Sequence, residues 1–227
     1  MGDLDNDGRN DIAFSSNWTT YGEVTFFTVN QNGEPQQYET IAAESLGISG
    51  LSVSSRFGRA IEAVGDWDGN GIVDLLVGAP GLDGGSLLLI SIKLRDDGFV
   101  EHETSTTTKQ MSCKTSIGST TAHTDFGTSL AYNPTSNMVI VGAPGKIGGG
   151  TIWFLTLTST LGVANAVELD TSDLSLSNGD RFGEAVTILT NSSAGADYDG
   201  DLETLEIVVS APAAMTDSDI RQGVLYI

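Results

Sequence analysis

Three times along the chain the same elements return in the same order, and this repetition restricts the fold more than any local motif. The pair Phe-Gly stands at Phe57-Gly58, Phe126-Gly127 and Phe182-Gly183. After each pair comes an apolar run closing on Ala-Pro: DLLVGAP to Pro80, MVIVGAP to Pro144 and EIVVSAP to Pro212. A glycine and a second apolar run follow every time, in GGSLLLISIKL, GGGTIWFLTLT and QGVLYI. Near the N-terminus, NDIAFSS and YGEVTFFTVN repeat the second and third parts without the first. Each unit therefore reads as strand A from Phe-Gly, strand B to Ala-Pro, strand C, and a more polar strand D. EPQQYETIA and VEHETSTTT are the candidates for D.

The runs are short, β-branched and bounded by Gly, Pro, Asn and Asp, which is strand chemistry, and none shows the spacing of an amphipathic helix. Strands B, almost wholly apolar, are expected to be buried on both faces, and the Thr-rich strands D to be outer edges. Four-stranded antiparallel units graded from an apolar inside to a polar outside describe the blades of an all-β propeller. The order Phe-Gly, Asp-rich loop, Gly-Ala-Pro resembles the FG-GAP repeat of the integrin α-subunit propeller, and the likeness runs through essentially the whole chain. The units divide as a partial blade at 1–45, full blades at 46–116 and 117–176, and a partial blade at 177–227. Three, four, four and three strands make an incomplete set. The resemblance implies a larger propeller of about seven blades, so the chain is expected to be part of a longer polypeptide or to be completed by partners.

Metal ligands are the chemistry that the repeats carry. In DWDGNGIVD, Asp66, Asp68 and Asn70 occupy positions 1, 3 and 5, the carbonyl of Ile72 stands at position 7, and Asp74 at position 9. DLDNDGRND repeats the pattern with Asp3, Asp5 and Asp7, the carbonyl of Arg9, and Asp11. Alternate spacing brings side-chain oxygens to one side of a loop, and Ca²⁺ takes six to eight oxygens at roughly 2.3–2.6 Å. An EF-hand would need Glu at position 12, where Phe14 and Val77 stand. The resemblance implies a calcium ion in the turn between strands A and B. Asp-Asn-Gly loops also serve as plain hairpin turns. Two complete matches at one place in the repeat favour the metal, as do four carboxylates within residues 3–11 that would repel one another without a cation. In the last unit Asp197, Asp199 and Asp201 are candidates for a third site. Leu202 replaces the glycine there, and the acid before strand B, Glu206, comes one position late, though Glu203 could compensate, so metal site and plain turn both stay open. YNPTSNM in the third unit has no carboxylate and is expected to be an ordinary turn.

Composition narrows the partners. Ten Lys+Arg against thirty Asp+Glu give a net charge of −20, which argues against nucleic acid or an anionic membrane. Only 18% of residues are charged, so the chain is no disordered acidic tail. No run approaches the roughly 18 apolar residues of a membrane span. MGDLDND is neither a secretory signal nor a myristoylation site, as expected of a segment whose true N-terminus lies upstream. The single Cys113 cannot form an internal disulfide, and His102 and His123 lack zinc-ligand spacing with it. Trp67 and Trp153 are expected to pack, and Trp18 to be exposed. Asn17-Trp18-Thr19 and Asn191-Ser192-Ser193 are sequons for N-glycans in a secreting eukaryote.

No nucleophile elbow, phosphate loop or dinucleotide fingerprint is present, and no enzyme activity is expected. The resemblance implies an extracellular, calcium-binding adhesion or assembly module. Its partners would be other proteins or neighbouring subunits, joined by strand addition at open blade edges. The alternative is a non-catalytic propeller attached to a secreted hydrolase of the GPI-specific phospholipase D type. A catalytic site within the propeller ranks third, since convergent His, Asp or Lys residues are too few.

Overall fold

The structure, a computed structural model, describes residues 3–5, 7–16, 21–94, 96, 100–102, 109–112, 125–158, 162–189, 205–214 and 223–226. Short β-rich runs separated by turn residues fold as antiparallel sheets, and the helical content is limited to 3-10 turns at Ala43–Leu46, Val53–Ser55 and Ser172–Leu174. The first sheet holds β1 (Ile12–Ser16), β2 (Glu23–Val29) and β3 (Pro35–Ala42) in that order. In the second, β4 (Ile61–Ala63), β5 (Leu75–Ala79) and β6 (Ser86–Ile90) precede a small ribbon of β7 (Ile92–Leu94) and β8 (Val100–His102), and β9 (Lys109–Ser112) completes the sheet in the order β4-β5-β6-β9. The third runs β10 (Ser129–Asn133), β11 (Met138–Ala143), β12 (Thr151–Leu157) and β13 (Val163–Glu168). The fourth runs β14 (Val186–Leu189), β15 (Glu206–Ala211) and β16 (Val224–Tyr226).

The core lies between successive sheets, and the period of two along each strand explains how. Leu75 and Val77 of β5 face the first sheet with Val24, Phe26, Leu88 and Ile90. Their neighbour Leu76 faces the other way, toward Val139, Val141 and Leu155 of the third sheet. Ile140 and Ile152 of the third sheet then meet Val209 and Ala211 of the fourth. Strands β5 and β11 are apolar without alternation because both of their faces are covered. One phenylalanine of a Phe-Gly pair fills each layer: Phe57 in the first, Phe126 in the second and Phe182 in the third, none more than 1% exposed.

The innermost strands β4, β10 and β14 touch in sequence, and Arg59 reaches past the third sheet to Glu184 of the fourth, Nη2 to Oε1 at 2.8 Å. The stack is therefore curved, with these strands on its concave side. The described residues show four stacked sheets, not a closed ring.

The structure moves one strand. The run VEHETSTTT does not supply the outer strand of the second sheet: β8 pairs with β7, and Lys109–Ser112 pairs with β6 instead. The cause lies in the acidic loop, because the N–H of Ile92 donates to Asp74 and the β6 line breaks at Ser91. Residues 103–108 lie outside the described residues.

Candidate metal centres

The two acidic loops fold alike, atom for atom in their hydrogen bonds. At position 1, Asp3 accepts the N–H groups of Asp7 (3.0 Å) and Gly8 (2.7 Å) on its two oxygens. Asp66 accepts Gly69 (2.8 Å) and Asn70 (3.0 Å) on one oxygen and Gly71 (2.8 Å) on the other. At position 3, Asp5 accepts Asp7 N–H at 3.1 Å and Asp68 accepts Asn70 N–H at 3.0 Å. At position 5, Asp7 Oδ1 accepts Arg9 N–H at 3.0 Å and Asn70 Oδ1 accepts Ile72 N–H at 2.8 Å. Position 9 ties the loop to the sheet. Asp11 takes Leu4 N–H (2.7 Å) and Val29 N–H (3.0 Å), and Asp74 takes Trp67 N–H (2.7 Å) and Ile92 N–H (2.9 Å).

These bonds bring three carboxylates of each loop together. Oxygens of Asp3, Asp5 and Asp11 lie within 4.8 Å of one another, as do those of Asp66, Asp68 and Asp74. Asp7 is not part of the first cluster; it turns to its own loop and to the guanidinium of Arg9, 3.5 Å away. Asn70 likewise spends its Oδ1 within the loop, while its NH₂ group donates to Asp68 and to the carbonyl of Ile92. Asp197, Asp199 and Asp201 lie outside the described residues, as do Cys113, His123 and both sequon asparagines.

The electrostatics are those of crowded carboxylates. Asp11 and Asp74 are 2% and 1% exposed. Burial pushes the Asp74 carboxyl up to about 6, against the N–H donors of Ile92 and Trp67, and Asp68 and Asp66 add to the rise. Burial raises Asp11 likewise, and it raises Asp5 ahead of the repulsion from Asp7 and Asp3. An all-oxygen set of three convergent carboxylates, one nearly solvent-free, fits a hard divalent cation such as Ca²⁺, which would relieve that repulsion.

Two residues of the site carry no signal in the loop motif. Ser91 donates its hydroxyl to Asp68 Oδ2, and the Thr28 hydroxyl bonds Asp5 in the same place. Each directly precedes the residue whose N–H holds the position-9 aspartate, Ile92 or Val29. Thr156 of the third sheet occupies the same place beside a loop without carboxylates, so a hydroxyl there is no signature. That third loop is an ordinary turn closed by Asn133, whose Oδ1 accepts Thr135 N–H at 2.9 Å. Trp67 packs half-buried against the second layer, its indole N–H on the Val64 carbonyl, and Trp153 is 8% exposed within β12.

No family model matches the chain. Integrin alpha-PS5 of Drosophila melanogaster is 34% identical over 86 residues, covering 37% of this chain and 8% of that protein. The chain thus corresponds to a small part of the relative's length, and the likeness hints at an integrin α-like, FG-GAP type of chain. Among the described residues no helix is long and apolar enough to cross a membrane.

Proposed function

We propose that the chain is part of an extracellular, calcium-binding β-propeller of the FG-GAP type, an adhesion or assembly module without catalytic activity of its own. The observation that carries this is the pair of loops at one place in the repeat. Both converge three carboxylates through the same hydrogen bonds, and both are anchored by a buried aspartate to the first two sheets. In the first loop Asp3, Asp5 and Asp11 would hold the ion, and in the second Asp66, Asp68 and Asp74. The ion supplies positive charge that offsets the carboxylates and fixes the loop against the start of strand B. The likeness to part of an integrin α subunit agrees with this and favours a cell-surface setting.

The free face of the first sheet supports further neighbours. Ile12 and Phe14 are 56% and 45% exposed, yet they occupy the places that Leu75 and Val77 fill in β5, where both are buried against the preceding sheet. Phe14 stacks on Phe27 at 5.4 Å on the same face. A further sheet, from the same polypeptide or from a partner, would cover them.

Melting the protein with calcium and after metal depletion tests the proposal. Calcium binding to the folded state alone adds RT ln(1 + [L]/Kd), roughly 2.7 kcal/mol per site at a hundredfold excess over Kd. An unchanged midpoint would rule it out.

A further inference from the structure

We propose that the cleft between the β11–β12 loop and the segment entering β14 binds a carboxylate of a partner polypeptide, seated beside an apolar side chain of that partner. The proposal deepens the reading of the chain as an interaction module and rests on it. The cleft has a volume of about 580 Å³ and is walled by Pro144, Gly145, Lys146, Ile147, Asn178 and Arg181. In a chain of net charge −20, two cations on one cleft run against the composition.

The positive charge is not fully matched. Glu184 gives one oxygen to Arg59 at 2.8 Å and the other to Arg181, whose Nε and Nη2 lie 2.8 and 2.6 Å away. One carboxylate thus serves two guanidiniums, and the remaining N–H groups of the Arg181 fork stay available. Lys146 pairs with Glu168, which engages one of its three donors. The carboxylate of nearby Asp180 is turned to Ser177 N–H, at 2.7 Å. Asn178 accepts Gly148 N–H on Oδ1 at 2.7 Å, which directs its NH₂ group away from that loop as a further donor. Ile147 stands on the rim 85% exposed and adjoins these donors. A free small anion gains nothing from that rim. A peptide carrying Glu next to an aliphatic residue uses both the donors and the isoleucine.

The test is fluorescence anisotropy of the whole chain in calcium buffer with the labelled peptide Gly-Gly-Leu-Glu-Gly-Gly amide and its Gln analogue. Charged hydrogen bonds of this kind predict that the Glu peptide binds at least about tenfold more tightly. Lys146→Met and Arg181→Met are each expected to weaken it, with Lys93→Met, on the β7–β8 ribbon, unchanged. Ile147→Ser, at a solvated position that leaves the fold intact, is expected to weaken the Leu-Glu peptide too. Equal affinity for the Gln analogue, no binding, or an Ile147→Ser protein that binds as the wild type each overturns the proposal. So does displacement of the peptide by sodium acetate at equal concentration, which would make the cleft a free-anion site. Melting the same samples with and without calcium separates the two readings, because a preserved calcium response with no peptide discrimination removes the cleft alone.

Discussion

The carbonyl oxygen of Gly127 lies against the Cα of Gly78, where a side chain on Gly78 would begin; Gly183 stands in the same relation to Gly142. Within a unit, the N–H of the Phe-Gly glycine donates to the carbonyl of the Gly-Ala-Pro glycine: Gly58 to Gly78 at 3.0 Å and Gly127 to Gly142 at 3.1 Å. Between units, the next Phe-Gly carbonyl presses on that same residue. The two halves of the repeat motif are therefore one contact, made once inside each sheet and once across to its neighbour.

Gly78→Ala and Gly142→Ala are accordingly expected to cost at least about 2 kcal/mol each, because the colliding atom is backbone and cannot swing aside. Gly33→Ala serves as the comparison. Its φ of +79° strains an alanine by roughly 1 kcal/mol, but a Cβ there meets nothing within 4 Å. Denaturant unfolding of the three variants measures the order, and an equal cost at Gly33 and Gly78 would contradict the packing relation.

Asp66→Ala is expected to remove one bound ion and with it most of that site's calcium-dependent stabilisation, roughly 2.7 kcal/mol at a hundredfold excess. Asn133→Ala, in the corresponding turn of the third sheet, loses one exposed turn hydrogen bond worth about 0.5–1 kcal/mol, with or without calcium. Calorimetric titration counts the ions, and identical stoichiometry in the two variants would mean the acidic loop is a plain turn.

The pH dependence follows from Asp74. Its folded carboxyl sits at about 6, above the ordinary value of 3.8, so in the metal-free protein folding favours the protonated form. That contribution is fully present below about pH 4 and lost as pH rises through 6. Calcium requires the ionised form and competes with the proton. The increase in melting temperature on adding calcium should therefore be large at pH 7 and shrink toward pH 5. Asp74→Asn should lose that increase at the second site and flatten the metal-free profile in this window. A calcium increment of equal size at pH 5 and 7 would exclude Asp74 as a ligand.

Strand order and the burial of β5 and β11 on both faces were legible because apolar runs without alternation leave few other places for a strand. The acidic loops were legible too, as oxygens at alternate positions. The place of β9 was not: the turn of the chain at Ser91 depends on a hydrogen bond from Ile92 to Asp74, eighteen residues away, and no local pattern announces it. For the same reason Asp7 reads as a ligand by spacing, yet it spends its carboxylate on Arg9 N–H and the Arg9 guanidinium. Motif spacing records which side a residue is on, not which donor reaches it first.

Ser91 tests whether the loop is held from outside. Its hydroxyl donates to Asp68 Oδ2, leaving Oδ1 to the Asn70 N–H, so the carboxylate is oriented before any ion arrives. Ser91 is 3% exposed and packs at the point where β6 gives way to the β7–β8 ribbon. Removing the hydroxyl takes away one bond and opens no large cavity, so Ser91→Ala should lower metal-free stability by only about 1 kcal/mol. Its effect on calcium should be larger, a loss of roughly tenfold in affinity at the second site, as for other partners that orient a metal-bound carboxylate. Ser91→Thr keeps the hydroxyl and should restore most of that affinity, while Thr156→Ala, in the third sheet, should leave calcium binding untouched. Calorimetric titration of the three variants reads the affinities. A Ser91→Ala protein that binds calcium as tightly as the wild type would show that Asp68 orients without help.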